Sequence, residues 1–140
     1  MKQLNIFADG GSRGNPGPAA IGIYITDGHK NVLAKRAKKI GKATNNQAEY
    51  MGLLMGLDWL IDNQKKFEKE IKINFFLDSQ LVYSQVVGIF KVKNEKIRKF
   101  IFELRQKEAK IQHPVRYNLI PREKNREADK LVNLALDNLF

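Results

Sequence analysis

The sequence has 140 residues and no cysteine, and its 25 basic and 15 acidic side chains give a formal net charge of +10 at pH 7. This length is typical of one domain, so we expect residues 1–140 to form a single domain. The absence of cysteine excludes a disulfide scaffold, a thiol nucleophile and a cysteine-ligated metal site.

Three strands are predicted in the first part of the chain. Alternation of apolar and polar residues predicts a strand at 3–9, and the glycine- and proline-rich stretch from Gly10 to Pro18 is typical of a turn. Further strands are predicted at 19–26 and 31–38. The third strand carries lysines on both faces, which is typical of a sheet edge because charge discourages pairing with another sheet.

A helix is predicted over residues 45–63, because Thr44 and Gln47 have the spacing of a capping box and an apolar stripe follows them, made of Leu53, Gly56, Leu57 and Leu60. The elements predicted after it are a strand at 71–77, a short helix from Ser79 to Val87, a basic amphipathic helix at 94–110, a strand at 115–120 and a helix at 123–138. The order β-β-β-α-β-α-α-β-α indicates an α/β fold in which helices pack on a mixed sheet.

The basic residues concentrate in two segments. Residues 28–42 hold six basic and no acidic side chains, and residues 91–110 hold eight basic and three acidic ones. This distribution favours a binding face for a polyanion, with nucleic acid ahead of an anionic membrane surface, although a solvated basic surface would give the same count. No stretch approaches the ~20 apolar residues that cross a bilayer, and no signal-peptide core precedes the first strand. We therefore expect a cytoplasmic protein that is not bound to a membrane.

Two of the predicted strands end in the same pattern of asparagine, apolar residue, phenylalanine, apolar residue and aspartate, at residues 5–9 and 74–78. If these strands are parallel neighbours in register, Asp9 and Asp78 lie side by side at the edge where open α/β sheets bind ligands. Taken singly, Asp78 could instead cap the following helix, and Asp9 could begin an Asx-turn.

Two further acids lie near predicted apolar helix stripes. Glu49 shares the stripe of the first helix, where a carboxylate is costly unless it is paired or binds a metal; its alternative is favourable placement near the helix N-terminus. Asp129 lies at the edge of the stripe of the last helix. Four converging acids suit Mg²⁺ or Mn²⁺, and two such ions can activate water and stabilise the leaving oxygen of a phosphodiester.

Four segments in the same order, spanning almost the whole chain, resemble the type 1 ribonucleases H, specifically the short archaeal and bacterial forms: Asp9–Gly17, Ala43–Tyr50, Leu77–Val82 and Asn125–Leu131. The resemblance implies a ribonuclease H-like fold, with a five-stranded mixed sheet of three antiparallel strands and then parallel ones, flanked by helices. It also implies endonucleolytic cleavage of the RNA strand of RNA–DNA hybrids with Mg²⁺ or Mn²⁺ as the cofactor.

The resemblance further implies roles for individual residues. The metal-binding catalytic acids would be Asp9, Glu49, Asp78 and Asp129. The residues that contact the minor groove of the hybrid would be Asn15, Asn45, Asn46 and Gln80, which fits the recognition of RNA by its 2′-hydroxyls. Thr44 is similar to the residue that binds a phosphate of the DNA strand, a role that can coexist with helix capping.

The sequence departs from many relatives in two places. The segment Asn118–Lys124 has no histidine where those relatives carry one in a flexible loop, and we predict that Arg122 partly substitutes by placing a positive charge near the scissile phosphate. The chain also lacks a tryptophan-rich basic protrusion that binds the DNA strand in some relatives. The residues expected to do a simpler form of that work are Lys91, Lys93, Lys96 and Lys99, with weaker and more salt-sensitive binding.

The main alternative is a module that binds an RNA–DNA hybrid or double-stranded RNA without cutting it. Retention of all four acids argues against this alternative, because binding alone would be stronger without them. The sequence leaves open whether double-stranded RNA is also a substrate and which of the two metals is preferred, and we expect the protein to be a monomer.

Overall fold

The computed structural model describes residues 2–67 and 69–140. The elements in chain order are β1 (Gln3–Ser12), β2 (Gly17–Asp27), β3 (Val32–Ala43), α1 (Asn45–Asn63), β4 (Lys72–Leu77), α2 (Gln80–Val86), α3 (Glu95–Ala109), β5 (Val115–Leu119) and α4 (Arg126–Leu136). Short 3₁₀ turns occupy Gln64–Lys66 and Arg122–Lys124.

The strands form one mixed sheet in the order β3-β2-β1-β4-β5. Antiparallel pairing joins β1 to β2 and β2 to β3, whereas β1 pairs with β4 and β4 with β5 in parallel. The predicted α/β fold and five-stranded mixed sheet are therefore confirmed. The lysine-rich β3 lies at the edge of the sheet, as its charges predicted.

The long turn predicted from Gly10 to Pro18 is wrong at both ends, because β1 continues to Ser12 and β2 begins at Gly17. Gly10 and Gly11 pair with Ile21 and Ala20 of β2. Gly10 is needed for a close contact with a helix and not for a turn, because a Cβ atom there would lie 2.0 Å from the carbonyl oxygen of Ala48 in α1. A Cβ atom at Gly11 would meet only Val132, at 3.6 Å.

Two other element bounds differ from the predictions. The strand β3 continues to Ala43 instead of stopping near residue 38, and its last residue pairs with Gly17 of β2. The last helix begins at Arg126, after a separate 3₁₀ turn, and not at residue 123. The first helix has the predicted bounds, and the bounds of the remaining elements differ from the predictions by at most two residues.

The helices pack on both faces of the sheet. The stripe of α1 is buried against the main hydrophobic cluster, which includes Ile6, Ile23 and Phe75 from the sheet and Leu104 from α3. Trp59 of α1 packs against the same cluster. On the other face, α4 packs Val132 and Ala135 against Ala20 of β2. No helix in the described ranges combines the length and apolar character needed to span a membrane.

Candidate active site

Asp9 and Asp78 come from neighbouring parallel strands. The register pairs Asn5 with Asn74 and Phe7 with Phe76, and the two phenylalanine rings stack with centroids 4.7 Å apart. Two residues further along, this register places Asp9 beside Asp78, as the repeated pattern predicted.

The structure also decides the two alternative roles of these aspartates. Ser79 is the N-cap of α2, and its hydroxyl accepts a hydrogen bond from the Val82 amide at 3.2 Å. Asp9 lies inside β1, opposite Gly22, where the backbone is extended. Neither the capping role for Asp78 nor the Asx-turn for Asp9 is therefore correct.

Glu49 reaches the aspartates because α1 lies unusually close to β1. A Cβ atom at Gly52 would lie 2.6 Å from the carbonyl oxygen of Asp9, so only glycine allows this approach. The Gly10 amide donates a long hydrogen bond of 3.4 Å to Glu49 Oε1. The Glu49 side chain is only 7% exposed, which confirms its predicted place on the buried stripe.

Carboxylate oxygens of Asp9, Glu49 and Asp78 lie within 4.8 Å of one another. Burial raises the pKa of Asp9 to about 6; a hydrogen bond with Glu49 opposes this rise, and the charges of Asp78 and Asp129 add to it. Burial also raises the pKa of Glu49 well above its ordinary value, and the neighbouring Asp9 raises it further. The site thus concentrates negative charge that a divalent cation would neutralise.

Asp129 differs from the other three acids. It is exposed on the first turn of α4 and lies outside the group of adjacent oxygens. It nevertheless lines the same cleft of about 640 Å³ and is close enough to raise the pKa of Asp9. The predicted convergence therefore holds fully for three acids, and Asp129 borders them.

The asparagines predicted to contact nucleic acid lie at one side of this cleft. Asn45 and Asn46, which line it, are exposed at the start of α1. Asn15 Oδ1 accepts a hydrogen bond from the Asn45 amide at 3.0 Å, and Asn45 Oδ1 accepts one from the Ser12 amide at 2.9 Å. These bonds fix the β1–β2 connection against the start of α1. Gln80 lines the cleft from the start of α2.

Thr44 forms the predicted capping box. Its hydroxyl accepts a hydrogen bond from the Gln47 amide at 3.2 Å, and its own amide donates to Gln47 Oε1 at 3.0 Å. The structural role of Thr44 is thus confirmed, and its role toward phosphate stays a prediction.

The predicted basic residues divide into two groups. Arg122 lies in the 3₁₀ turn before α4 and lines the cleft. Four exposed lysines lie between α2 and the second turn of α3 and do not line the cleft: Lys91, Lys93, Lys96 and Lys99. Arg122 is therefore placed near the acids, whereas these lysines form a separate basic surface.

Sequence reasoning missed three residues of the site. Arg13 and Arg126 also line the cleft, and Arg13 pairs with Asp137 beyond α4 at 2.6 Å. Asn125, buried directly before α4, donates a hydrogen bond to Asp78 Oδ2 at 2.9 Å. Asn125 begins one of the segments that carry the resemblance, but an asparagine before a helix is typical of a cap, so its position gave no other signal.

Comparison with known proteins places this geometry in a family. A family model described as reverse transcriptase-like matches residues 7–135. The crystal structure of RNase H1 from the halophilic archaeon Halobacterium salinarum NRC-1 is similar to the chain, with a TM-score of 0.88 and 35% identity over 97% of this chain and 98% of that one. The chain belongs to the type 1 ribonuclease H family.

A second ribonuclease H1 structure carries a ligand. LC11-RNase H1, in complex with an RNA/DNA hybrid, has a TM-score of 0.90 and 37% identity over 96% of this chain and 97% of that one. The bifunctional protein Rv2228c of Mycobacterium tuberculosis is 42% identical over 133 residues, which are 94% of this chain and 35% of that protein. The chain thus spans about a third of the length of this curated relative. Ribonucleases H generally use divalent metal ions, as the acidic group suggests.

Proposed function

We propose that the protein is an endoribonuclease that hydrolyses the RNA strand of RNA–DNA hybrids with two divalent metal ions, Mg²⁺ or Mn²⁺. The observation that carries this proposal is the group of Asp9, Glu49 and Asp78, whose oxygens lie within 4.8 Å of one another in a cleft of about 640 Å³. Its support from the comparisons is the RNA/DNA hybrid bound to LC11-RNase H1.

The donor set fits the proposed ions. Among the described residues, no lysine or arginine forms a salt bridge with any of the three carboxylates, and their oxygens are the hard ligands that Mg²⁺ and Mn²⁺ prefer. Asp9, Glu49, Asp78 and, at the border, Asp129 would hold the ions. When bound, a pair of such ions activates water and stabilises the leaving oxygen of a phosphodiester.

The remaining residues of the cleft would bind and orient the hybrid. Arg122 would bring a positive charge to the scissile phosphate, and the neighbouring Arg126 supports a basic border on that side of the cleft. The amide side chains of Asn15, Asn45, Asn46 and Gln80 would contact the minor groove, where the 2′-hydroxyls distinguish RNA from DNA. Thr44 would bind a phosphate of the DNA strand at the N-terminus of α1.

The separate basic surface would extend the contact with the DNA strand. Its members are Lys91, Lys93, Lys96 and Lys99, all exposed. Because lysine binds phosphate mainly through charge, this part of the interface would weaken steeply as the salt concentration rises, since releasing counterions from the nucleic acid then contributes less free energy. We also propose that residues 1–140 act as one domain and as a cytoplasmic monomer. Light scattering with and without a short hybrid would test the monomeric state.

A non-cleaving module for hybrids or double-stranded RNA is the less favoured function. Three partly or fully buried carboxylates destabilise the metal-free fold and repel phosphate, so a binding module gains nothing from them. Their presence in one cleft with exposed amide side chains favours cleavage.

The decisive experiment is cleavage of a labelled RNA–DNA hybrid and of a matched RNA duplex, each with Mg²⁺, with Mn²⁺ and with EDTA. We expect the RNA strand of the hybrid to be cut only when metal is present. Asp78→Asn should abolish cutting and leave binding of the hybrid largely intact, because it removes a metal ligand and not a nucleic-acid contact. Metal-independent cutting, or full activity in Asp78→Asn, would overturn the proposal.

A further inference from the structure

Asn125 joins two of the elements that carry the acids. Its side chain is buried, with the residue only 1% exposed. Its Nδ2 donates to Asp78 Oδ2 at 2.9 Å and to the carbonyl oxygen of Ala8 at 3.0 Å. Since Ala8 precedes Asp9 in β1, one amide group connects the strand of Asp9 directly to the carboxylate of Asp78.

The orientation of this amide is fixed by its acceptors. Asparagine carries two donors on nitrogen and none on oxygen, so the reversed orientation would face Oδ1 toward a carboxylate oxygen and a carbonyl oxygen. In the observed orientation Oδ1 is buried and has no hydrogen-bond partner in the described part of the chain. An unsatisfied buried acceptor destabilises a fold, which indicates that the bonds to Asp78 and Ala8 determine how the side chain is placed.

The side chain of Asn125 does not cap α4, although its position suggests that role. It is the N-cap residue of α4, yet its side chain makes no capping hydrogen bond. Its backbone carbonyl accepts from the Asp129 amide at 3.1 Å and so begins the helix. Asn125 therefore contacts β1 beside Asp9, the carboxylate of Asp78 and the backbone of Asp129.

We propose that Asn125 is a positioning residue that holds the Asp78 carboxylate at the spacing from Asp9 that a divalent ion requires. The inference rests on the proposed function, because the ion is the cofactor of the proposed cleavage. With Oδ2 held by Asn125, the Asp78 side chain loses rotational freedom before any ion arrives. Without the amide, the ion itself has to order this carboxylate, and its affinity falls.

The test compares Asn125→Ala with Asn118→Ala. Asn118 is a matched control because its Nδ2 also donates to a carbonyl oxygen of the sheet, that of Phe75 at 3.1 Å, but it contacts no acid of the site. Calorimetric titration with Mn²⁺ should show affinity roughly 10- to 100-fold weaker for Asn125→Ala. Asn118→Ala should bind Mn²⁺ within about twofold of wild type.

Kinetic measurements separate positioning from binding of nucleic acid. In Asn125→Ala the metal concentration for half-maximal cleavage should rise by the same factor as the Mn²⁺ dissociation constant, while KM for the hybrid at saturating metal stays unchanged. Asn125→Ser, which keeps one hydroxyl donor, should lose less affinity than Asn125→Ala. Circular dichroism establishes that each variant is folded, and Asn125→Ser carries the comparison if Asn125→Ala is not.

Mn²⁺ affinity within about twofold of wild type in the folded Asn125 variants would overturn the inference, and so would an equal loss in Asn118→Ala. The calorimetric readout does not depend on cleavage. If the wild-type protein binds Mn²⁺ without cutting the hybrid, the proposed function fails, and the titrations still decide whether Asn125 positions Asp78.

Discussion

Replacing Asp9 by asparagine is expected to stabilise the metal-free protein while abolishing its activity. The folded protein raises the pKa of Asp9 from 3.8 to about 6, chiefly through burial. Between these pH values the unfolded chain releases a proton that the folded protein retains, so rising pH favours unfolding. Asparagine is neutral at every pH, so the variant does not lose this stability as pH rises.

The size of the effect follows from the shift. About two pKa units at 1.36 kcal/mol each give about 3 kcal/mol. In EDTA, the free energy of unfolding of Asp9→Asn should therefore exceed that of wild type by an amount that grows as pH rises from about 4. This difference should level off near 3 kcal/mol above about pH 6. Urea unfolding across this range measures the difference directly. The matched control is Asp62→Asn, at an exposed position of α1, which should change stability by less than about 0.5 kcal/mol.

With saturating metal, wild type should become more stable than Asp9→Asn. An ion present at about 1,000 times its dissociation constant stabilises the folded state that binds it by about 4.1 kcal/mol, which exceeds the gain of about 3 kcal/mol, and Asp9→Asn loses a ligand for the ion. The reasoning is refuted if Asp9→Asn is no more stable than wild type in EDTA near neutral pH, or if its advantage is the same at every pH.

Three further variants test the packing of α1, the role of Arg122 and the separate basic surface. Gly52→Ala should lower the free energy of unfolding in urea by about 1–3 kcal/mol and impair cleavage, because the added carbon meets the Asp9 carbonyl and moves Glu49 away. The stability control is Gly11→Ala, whose added carbon meets only Val132 at 3.6 Å. Arg122→Ala should lower kcat on the hybrid by up to about 100-fold, and unchanged turnover and metal dependence would show that Arg122 does not substitute for the absent histidine. Replacing the four lysines of the separate basic surface by alanine should reduce the slope of log Kd against log salt by about 0.9 for each lost phosphate contact, whereas a variant lacking Lys65 and Lys66 beyond the far end of α1 should keep the wild-type slope.

The positions of three acids were predictable because each depends on a local pattern. Asp9 and Asp78 occupy the same place in two strands with the same pattern, and parallel pairing in register brings them together. Glu49 was predictable because a carboxylate on an otherwise apolar helix stripe is costly unless it is paired or binds a metal. Asp129 lacked such a pattern: its place at the edge of a stripe did not determine whether it joins the group of oxygens or borders it.

Other features depend on tertiary contacts that a local pattern does not contain. Glycine is unfavourable in strands, so the continuation of β1 through Gly10 is understood only from the close approach of α1. The side chain of Asn125 could have capped α4, and the acceptors that prevent this come from residues more than 45 positions earlier in the chain. The family resemblance identified the segments that contain these residues, Asp9–Gly17 and Asn125–Leu131, but it did not give their tertiary contacts.

The contact between α1 and β1 also separates activity from thermal tolerance. Gly10 and Gly52 set this contact through backbone atoms, so the spacing of Glu49 from Asp9 is determined near the start of α1. Leu60 lies near the other end of that helix, is fully buried and does not line the cleft, so we expect its substitution to change the melting temperature without altering the cleft. We therefore expect substitutions in the distant core to change the heat resistance of this protein while the end of the sheet that carries the three acids stays unchanged.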